Sequence, residues 1–229
     1  MSIAENIASV KGRIAQAAIR VGRDPSEIKL VAATKDVPVN LIEEAIKAGI
    51  TDIGENRVQE AHLKFDALKN HPVTWHMIGH LQTNKVKQAL EIFSVIQSVD
   101  SEKLAVEISG KSIKNVDVMI EVNTSEEISK FGVAPDGAVK LARVISGLPN
   151  LKLTGLMTVG PLTSDEGKIR GSFRLLKYLF GQIKGLNLTA VELKCLSMGM
   201  SDDFEIAIEE GSNLVRVGRA IFGIEHKRS

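Results

Sequence analysis

Short apolar runs and helical periodicities alternate along this chain from end to end. Lys29 to Thr34 is rich in β-branched and aliphatic residues and reads as a strand. Ile50 to Gly54, Val73 to Ile78, Phe93 to Gln97, Val116 to Val122, Leu153 to Met157, Val191 to Leu196 and Leu214 to Val217 read the same way. Between them lie segments with apolar residues at helical spacing: Asn40 to Gly49, Arg57 to Lys69, Asn84 to Ile92, Glu102 to Ser109, Gly137 to Ser146, Ser172 to Lys184 and Phe204 to Glu210. Ahead of the first strand, Ile3, Ile7, Val10, Ile14, Ala17 and Ala18 form one apolar face of an additional N-terminal helix. Strands this apolar are buried on both faces, as in a parallel sheet. Eight right-handed βα units close most simply into a (β/α)8 TIM-type barrel, and the fold class is read as α/β. A doubly wound open sheet is the alternative, but Thr34-Lys35-Asp36-Val37-Pro38 is not the Gly-rich turn such sheets carry after the first strand. No Pro/Gly/Ser-rich linker divides the chain, so residues 1–229 are read as one barrel domain. Gly160 to Gly171 reads as the longest loop and a mobile flap.

Composition narrows the function classes. The chain has 229 residues, 44% of them hydrophobic, with Lys plus Arg (29) nearly balancing Asp plus Glu (28). No overall field attracts nucleic acid or an anionic membrane. The lone Cys195 excludes an internal disulfide framework, lies inside a strand and reads as a core thiol in a reducing compartment. Met1 to Arg23 carries no signal-peptide apolar core, and no apolar run is long enough to span a bilayer, so a cytoplasmic location is expected. His62, His71, His76 and His80 are not at metal-ligand spacing, and no zinc site is expected.

In a (β/α)8 barrel the C-terminal strand ends converge on one site. Here they carry Lys35, Asn56, His80, Ser98, Asn123, Thr158, Ser197 and Gly218. A lysine at the rim of an apolar strand is partly desolvated, which favours the neutral amine that forms a Schiff base with an aldehyde. The stretch Leu196-Ser197-Met198-Gly199-Met200-Ser201-Asp202-Asp203 places small and hydroxyl residues before a helix, an arrangement suited to a phosphate; an ordinary helix cap is the alternative. Gly218 and Arg219 follow strand eight, where barrels recurrently bind phosphate. Arg216 sits inside an apolar strand and needs a partner such as a ring nitrogen or a carboxylate. A reactive lysine and a phosphate cradle on one rim point to pyridoxal 5′-phosphate. A phosphosugar barrel enzyme would use the cradle and leave Lys35 unexplained.

Several motifs together carry a resemblance. They are Leu30-Val31-Ala32-Ala33-Thr34-Lys35, Gly54-Glu55-Asn56-Arg57-Val58-Gln59-Glu60, Trp75-His76-Met77-Ile78-Gly79-His80-Leu81-Gln82-Thr83-Asn84-Lys85, Gly155-Leu156-Met157-Thr158, Leu196-Ser197-Met198-Gly199-Met200-Ser201 and Val215-Arg216-Val217-Gly218-Arg219-Ala220-Ile221-Phe222-Gly223. Over nearly the whole chain they resemble the pyridoxal phosphate homeostasis protein family. The resemblance implies a barrel similar to the N-terminal domain of bacterial alanine racemase. It implies Lys35 as the Schiff-base lysine, Arg216 facing the pyridine nitrogen, and the Ser197–Ser201 and Gly218–Arg219 loops holding phosphate. Asn56, His80 and Met157 complete the expected cofactor-binding set with Ser197, Met198, Gly199, Met200, Ser201, Arg216, Gly218 and Arg219. Many family members have a small hydroxyl residue where this chain has Arg219, which leaves the backbone there to serve. A low-activity racemase is the competing function. It would need a second catalytic group opposite the lysine, and the only tyrosine, Tyr178, falls in an expected helix. The resemblance points instead to a cofactor carrier or regulator in vitamin B6 and amino/keto-acid homeostasis. It implies no robust catalysis and apo-enzymes as possible recipients; a monomer is expected.

Overall fold

The computed structural model describes residues 1–125, 127 and 130–223. Helix α1 (Ile3–Arg20) comes first. The strands are β1 (Lys29–Ala33), β2 (Asp52–Glu55), β3 (Thr74–Met77), β4 (Val95–Val99), β5 (Val116–Glu121), β6 (Leu151–Met157), β7 (Val191–Ser197) and β8 (Leu214–Val217). After each strand comes a helix: α2 (Val39–Lys47), α3 (Val58–Leu68), α4 (Val86–Ile92), α5 (Glu102–Lys111), α6 (Ala138–Ser146), α7 (Glu166–Gly185), α8 (Phe204–Glu209) and the single turn α9 (Arg219–Phe222). The strands are parallel and close in sequence order, β8 pairing back onto β1 with Val31 opposite Arg216. The expected barrel and its N-terminal helix are both present.

α1 begins in a capping box: Ser2 Oγ accepts from the Glu5 amide, and the Glu5 carboxylate accepts from the Ser2 amide. Its buried face, Ile7, Val10, Ile14, Ala17 and Ala18, packs against α2, α8 and α9. Each large aliphatic side chain so buried contributes about 1.5–3 kcal/mol relative to exposure. α2 stops at Gly49, whose φ of +89° is the left-handed conformation that ends helices. The main core lies between the helices and the outer face of the strands. A second apolar cluster, Val31, Val95, Met119, Met157 and Leu214, draws one residue from each of five strands and lies in the barrel interior. Cys195 packs against this interior cluster, half-buried, and burial raises its thiol pKa.

Two expected boundaries shift. β4 runs from Val95 to Val99, so Ser98 is a fully buried strand residue and Asp100 takes the place at the rim. α7 starts at Glu166, capped by Asp165, whose carboxylate accepts from the Lys168 amide. The loop expected over Gly160 to Gly171 is therefore shorter, its second half being helix. Gly167 and Gly171 lowered the helical signal there, yet neither breaks the turn, because a good cap and a buried face outweigh about 1 kcal/mol of propensity per glycine.

Candidate functional site

The C-terminal mouth of the barrel holds a two-lobed cavity. One lobe, about 320 Å³, includes Lys35, Arg216, Gly218 and the Met200–Asp202 turn. The other, about 740 Å³, includes Lys35, Arg57, His80, Lys85, Glu121 and Phe131. Lys35, Asn56, Ile78 and Val159 line both lobes, so the lysine stands at their junction. Its Nζ lies 3.9 Å from the Asp36 carboxylate, a loose pair that leaves the amine available.

The first lobe has the form of an anion cradle. Asp203 Oδ1 accepts from the Met200 amide at 2.6 Å and holds the turn that carries Ser201. The Ser201 and Asp202 amides have no partner among the described residues. Ser201 Oγ accepts from the Ala220 amide at 3.3 Å, which joins the turn after β7 to α9. Arg219 pairs with Asp202 at the rim, so its charge is already partnered there. Gly199 has a different task from the one its position suggests. Its φ is +96°, and an added Cβ would lie 2.6 Å from Ala207 Cβ and 2.8 Å from Phe204 Cα. The missing side chain makes room for α8.

At the floor of the first lobe, Arg216 points into the barrel, as the alternation of β8 requires. Nη1 donates to Ser197 Oγ at 2.5 Å and Nη2 to the Thr158 carbonyl at 2.8 Å. Burial pulls the guanidinium down to about 10, against Glu121 and Asp203, which favour its charged form. It remains a cation at neutral pH and can only donate. The chain of contacts continues across the interior. Ser197 Oγ donates to Gln97 Oε1 at 2.6 Å, Gln97 Nε2 meets His76 Nδ1 at 3.0 Å, and His76 Nε2 meets Asp52 Oδ1 at 2.9 Å. Lys29 adds a donor to the same Asp52 oxygen at 3.2 Å.

In the larger lobe, burial raises the Glu121 carboxyl to about 7, opposed by Arg216. One of its oxygens is buried without a partner among the described residues. His80 is held by Asp100 at 3.1 Å and stacks on Phe131, ring centroids 4.1 Å apart.

Of the expected site residues, Lys35, Asn56, His80, Met200, Ser201, Arg216, Gly218 and Arg219 line the mouth. Ser197 is fully buried behind Arg216, Met198 is fully buried in the main core, and Met157 belongs to the interior apolar cluster. Of the rim residues, Asn123 turns to its own loop, donating to the Glu127 and Lys130 carbonyls. Thr158 bonds the Val122 carbonyl and the Thr124 hydroxyl. The sequence reading did not single out Gln97, Asp52 or Glu121. Their signal is a polar residue at an inward position of a buried strand, the same signal that marked Arg216.

A barrel with a lysine at the end of β1 and an anion cradle after β7 and β8 places this chain among barrels of the alanine racemase type. The family model for the alanine racemase N-terminal domain matches residues 3–226. The chain is 42% identical over 226 residues to the pyridoxal phosphate homeostasis protein of Aquifex aeolicus, covering 97% of this chain and 98% of that one. It belongs to the pyridoxal phosphate homeostasis protein family. Among solved structures, PipY of Synechococcus elongatus with PLP bound superposes with a TM-score of 0.82 at 32% identity, covering 97% of this chain and all (100%) of that one. The crystal structure of an unknown protein from Bifidobacterium adolescentis gives a TM-score of 0.92 at 38% identity, covering 96% of this chain and 94% of that one. Alanine racemase from Corynebacterium glutamicum shares the fold at 0.74 and 18% identity, this chain spanning 61% of its length.

Proposed function

We propose that this protein binds pyridoxal 5′-phosphate and serves vitamin B6 and amino/keto-acid homeostasis as a carrier or regulator of the cofactor. The observation that carries this reading is the placement of Lys35, Ser201 and Arg216 around one lobe. The residues fit the group. Free amides at Ser201 and Asp202 suit a phosphate, the Arg216 donor suits the ring nitrogen, and Lys35 suits the aldehyde, which it would hold as a Schiff base. When bound, the cofactor supplies an electrophilic carbon to amines. The family name of the curated relatives and the PLP-bound PipY structure support the same assignment.

In this reading Lys35 anchors, the Met200–Asp202 turn and Gly218 grip the phosphate, and Arg216 keeps the ring nitrogen an unprotonated acceptor. An unprotonated ring is a weak electron sink. The racemase alternative is disfavoured by the position of Tyr178, which is 62% exposed on α7 and bonded to Gln182. The proposal places the protein in the cytoplasm as one barrel domain over residues 1–229 and as a monomer, with apo-enzymes that require the cofactor as recipients. No helix among the described residues is long and apolar enough to cross a membrane. The test is transfer of the bound cofactor to an apo-enzyme in the presence of a trap for free aldehyde. Reactivation despite the trap supports a carrier, and complete suppression contradicts direct transfer.

A further inference from the structure

A second lysine stands directly behind Lys35. Lys64 on α3 is 7% exposed, and its ammonium spends its donors on three close acceptors. Nζ lies 2.7 Å from the Thr34 carbonyl, 2.7 Å from Glu55 Oε1 and 2.6 Å from Glu60 Oε1. Thr34 is the residue before Lys35. Glu60 Oε1 also accepts from the amide of Asp36, the residue after Lys35, at 2.6 Å. The two backbone groups flanking Lys35 are thus held by one assembly of three side chains, from the end of β2 and the first turns of α3. Thr34 Oγ1 tightens it by donating to Glu55 Oε1 at 2.6 Å.

This assembly holds a backbone that needs holding. Asp36 has φ of +57°, a left-handed conformation that is unfavourable for a non-glycine residue. The two lysines are sorted accordingly. Lys64 is locked by three acceptors, while Lys35 lines the cavity and, among the described residues, has one loose charged neighbour at 3.9 Å.

We propose that Lys64, with Glu55 and Glu60, is a positioning residue for Lys35: it fixes the end of β1 so that the Lys35 amine is presented to the cavity, and it sets the rate at which an aldehyde is captured there. The inference rests on the pyridoxal phosphate reading. In the capture, the neutral Lys35 nitrogen bonds to the aldehyde carbon. The carbonyl oxygen leaves as water, carrying both protons of the amine, so atoms and charge balance. Misplacing the nitrogen by a fraction of an ångström slows this step and leaves phosphate and ring contacts untouched.

The experiment compares two ligands. Pyridoxal 5′-phosphate reports capture through the growth of a visible absorbance band. Pyridoxine 5′-phosphate, with an alcohol in place of the aldehyde, reports binding alone. Lys64→Met and Glu60→Ala are expected to slow band growth about tenfold or more and to leave pyridoxine 5′-phosphate affinity within about twofold. Glu60→Gln keeps an acceptor for the Asp36 amide and is expected to restore most of the rate. Glu60 is partly exposed, so its variants keep the test open where Lys64→Met fails to fold. Native band growth in both Lys64→Met and Glu60→Ala, or a parallel loss of both ligands, would overturn the proposal. No visible band in the native protein would overturn the cofactor reading and this inference with it.

Discussion

Arg216 Nη1 donates to Ser197 Oγ at 2.5 Å, and that contact dictates the proton arrangement across the barrel interior. An arginine cannot accept, so Ser197 must, and its one hydrogen goes to Gln97 Oε1. This turns the Gln97 amide so that its NH2 faces His76 Nδ1, which must then accept. The ring proton is left on Nε2, facing Asp52. A donor-only group at one end and a carboxylate at the other thus set every orientation between them.

The first prediction is the tautomer of His76. Long-range 15N–1H correlation spectra are expected to show the proton on Nε2. A proton on Nδ1 alone would refute the arrangement. Gln97→Leu removes the acceptor for the Ser197 hydroxyl and is expected to cost about 1–3 kcal/mol of stability.

Glu121 gives a pH dependence. Its folded pKa of about 7 lies above the ordinary 4.5, so the folded state binds the proton more tightly than the unfolded chain. The stability this confers is complete below about pH 4.5 and is lost as pH rises through 7. The full shift corresponds to a ceiling of about 3 kcal/mol. Glu121→Gln is expected to flatten this slope and to stabilise the protein at pH 8 relative to native. Chemical denaturation of both proteins at pH 5 and pH 8 is the check; parallel slopes would refute the assignment.

Gly199→Ala combines left-handed backbone with a Cβ placed 2.6 Å from Ala207 Cβ. Destabilisation of about 2–5 kcal/mol is expected in denaturant titrations. An effect confined to cofactor affinity, at unchanged stability, would return Gly199 to the phosphate site.

Ser201→Ala removes a hydroxyl that joins the turn after β7 to α9. Cofactor affinity is expected to fall by about 0.5–1.5 kcal/mol, measured by equilibrium titration, with Lys35 reactivity retained. Unchanged affinity would place the phosphate away from this turn.

The barrel was legible because each strand is an apolar run bounded by turn residues, a signal that survives errors of two residues at its ends. β4 shifted because Phe93 and Val95 look equally strand-like, although Phe93 packs in the main core before the strand begins. Lys35, Ser201 and Arg216 could be placed because each breaks a local pattern at a position where the barrel gives it meaning. Ser197 and Met157 sit on inward positions of β7 and β6 but below the mouth, a depth that alternation alone does not give. The Gln97–His76–Asp52 chain and the Lys64 assembly were not legible. Their members come from different strands and helices, and only closure of the barrel brings them together.

The central claim is that Lys35 is the amine that holds the cofactor. Reduction of the pyridoxal phosphate-loaded protein with borohydride, followed by peptide mapping, tests it most directly. The account predicts a single pyridoxyl adduct on Lys35, absent in Lys35→Ala. An adduct on Lys64, Lys85 or Lys130 with Lys35 unmodified would contradict it.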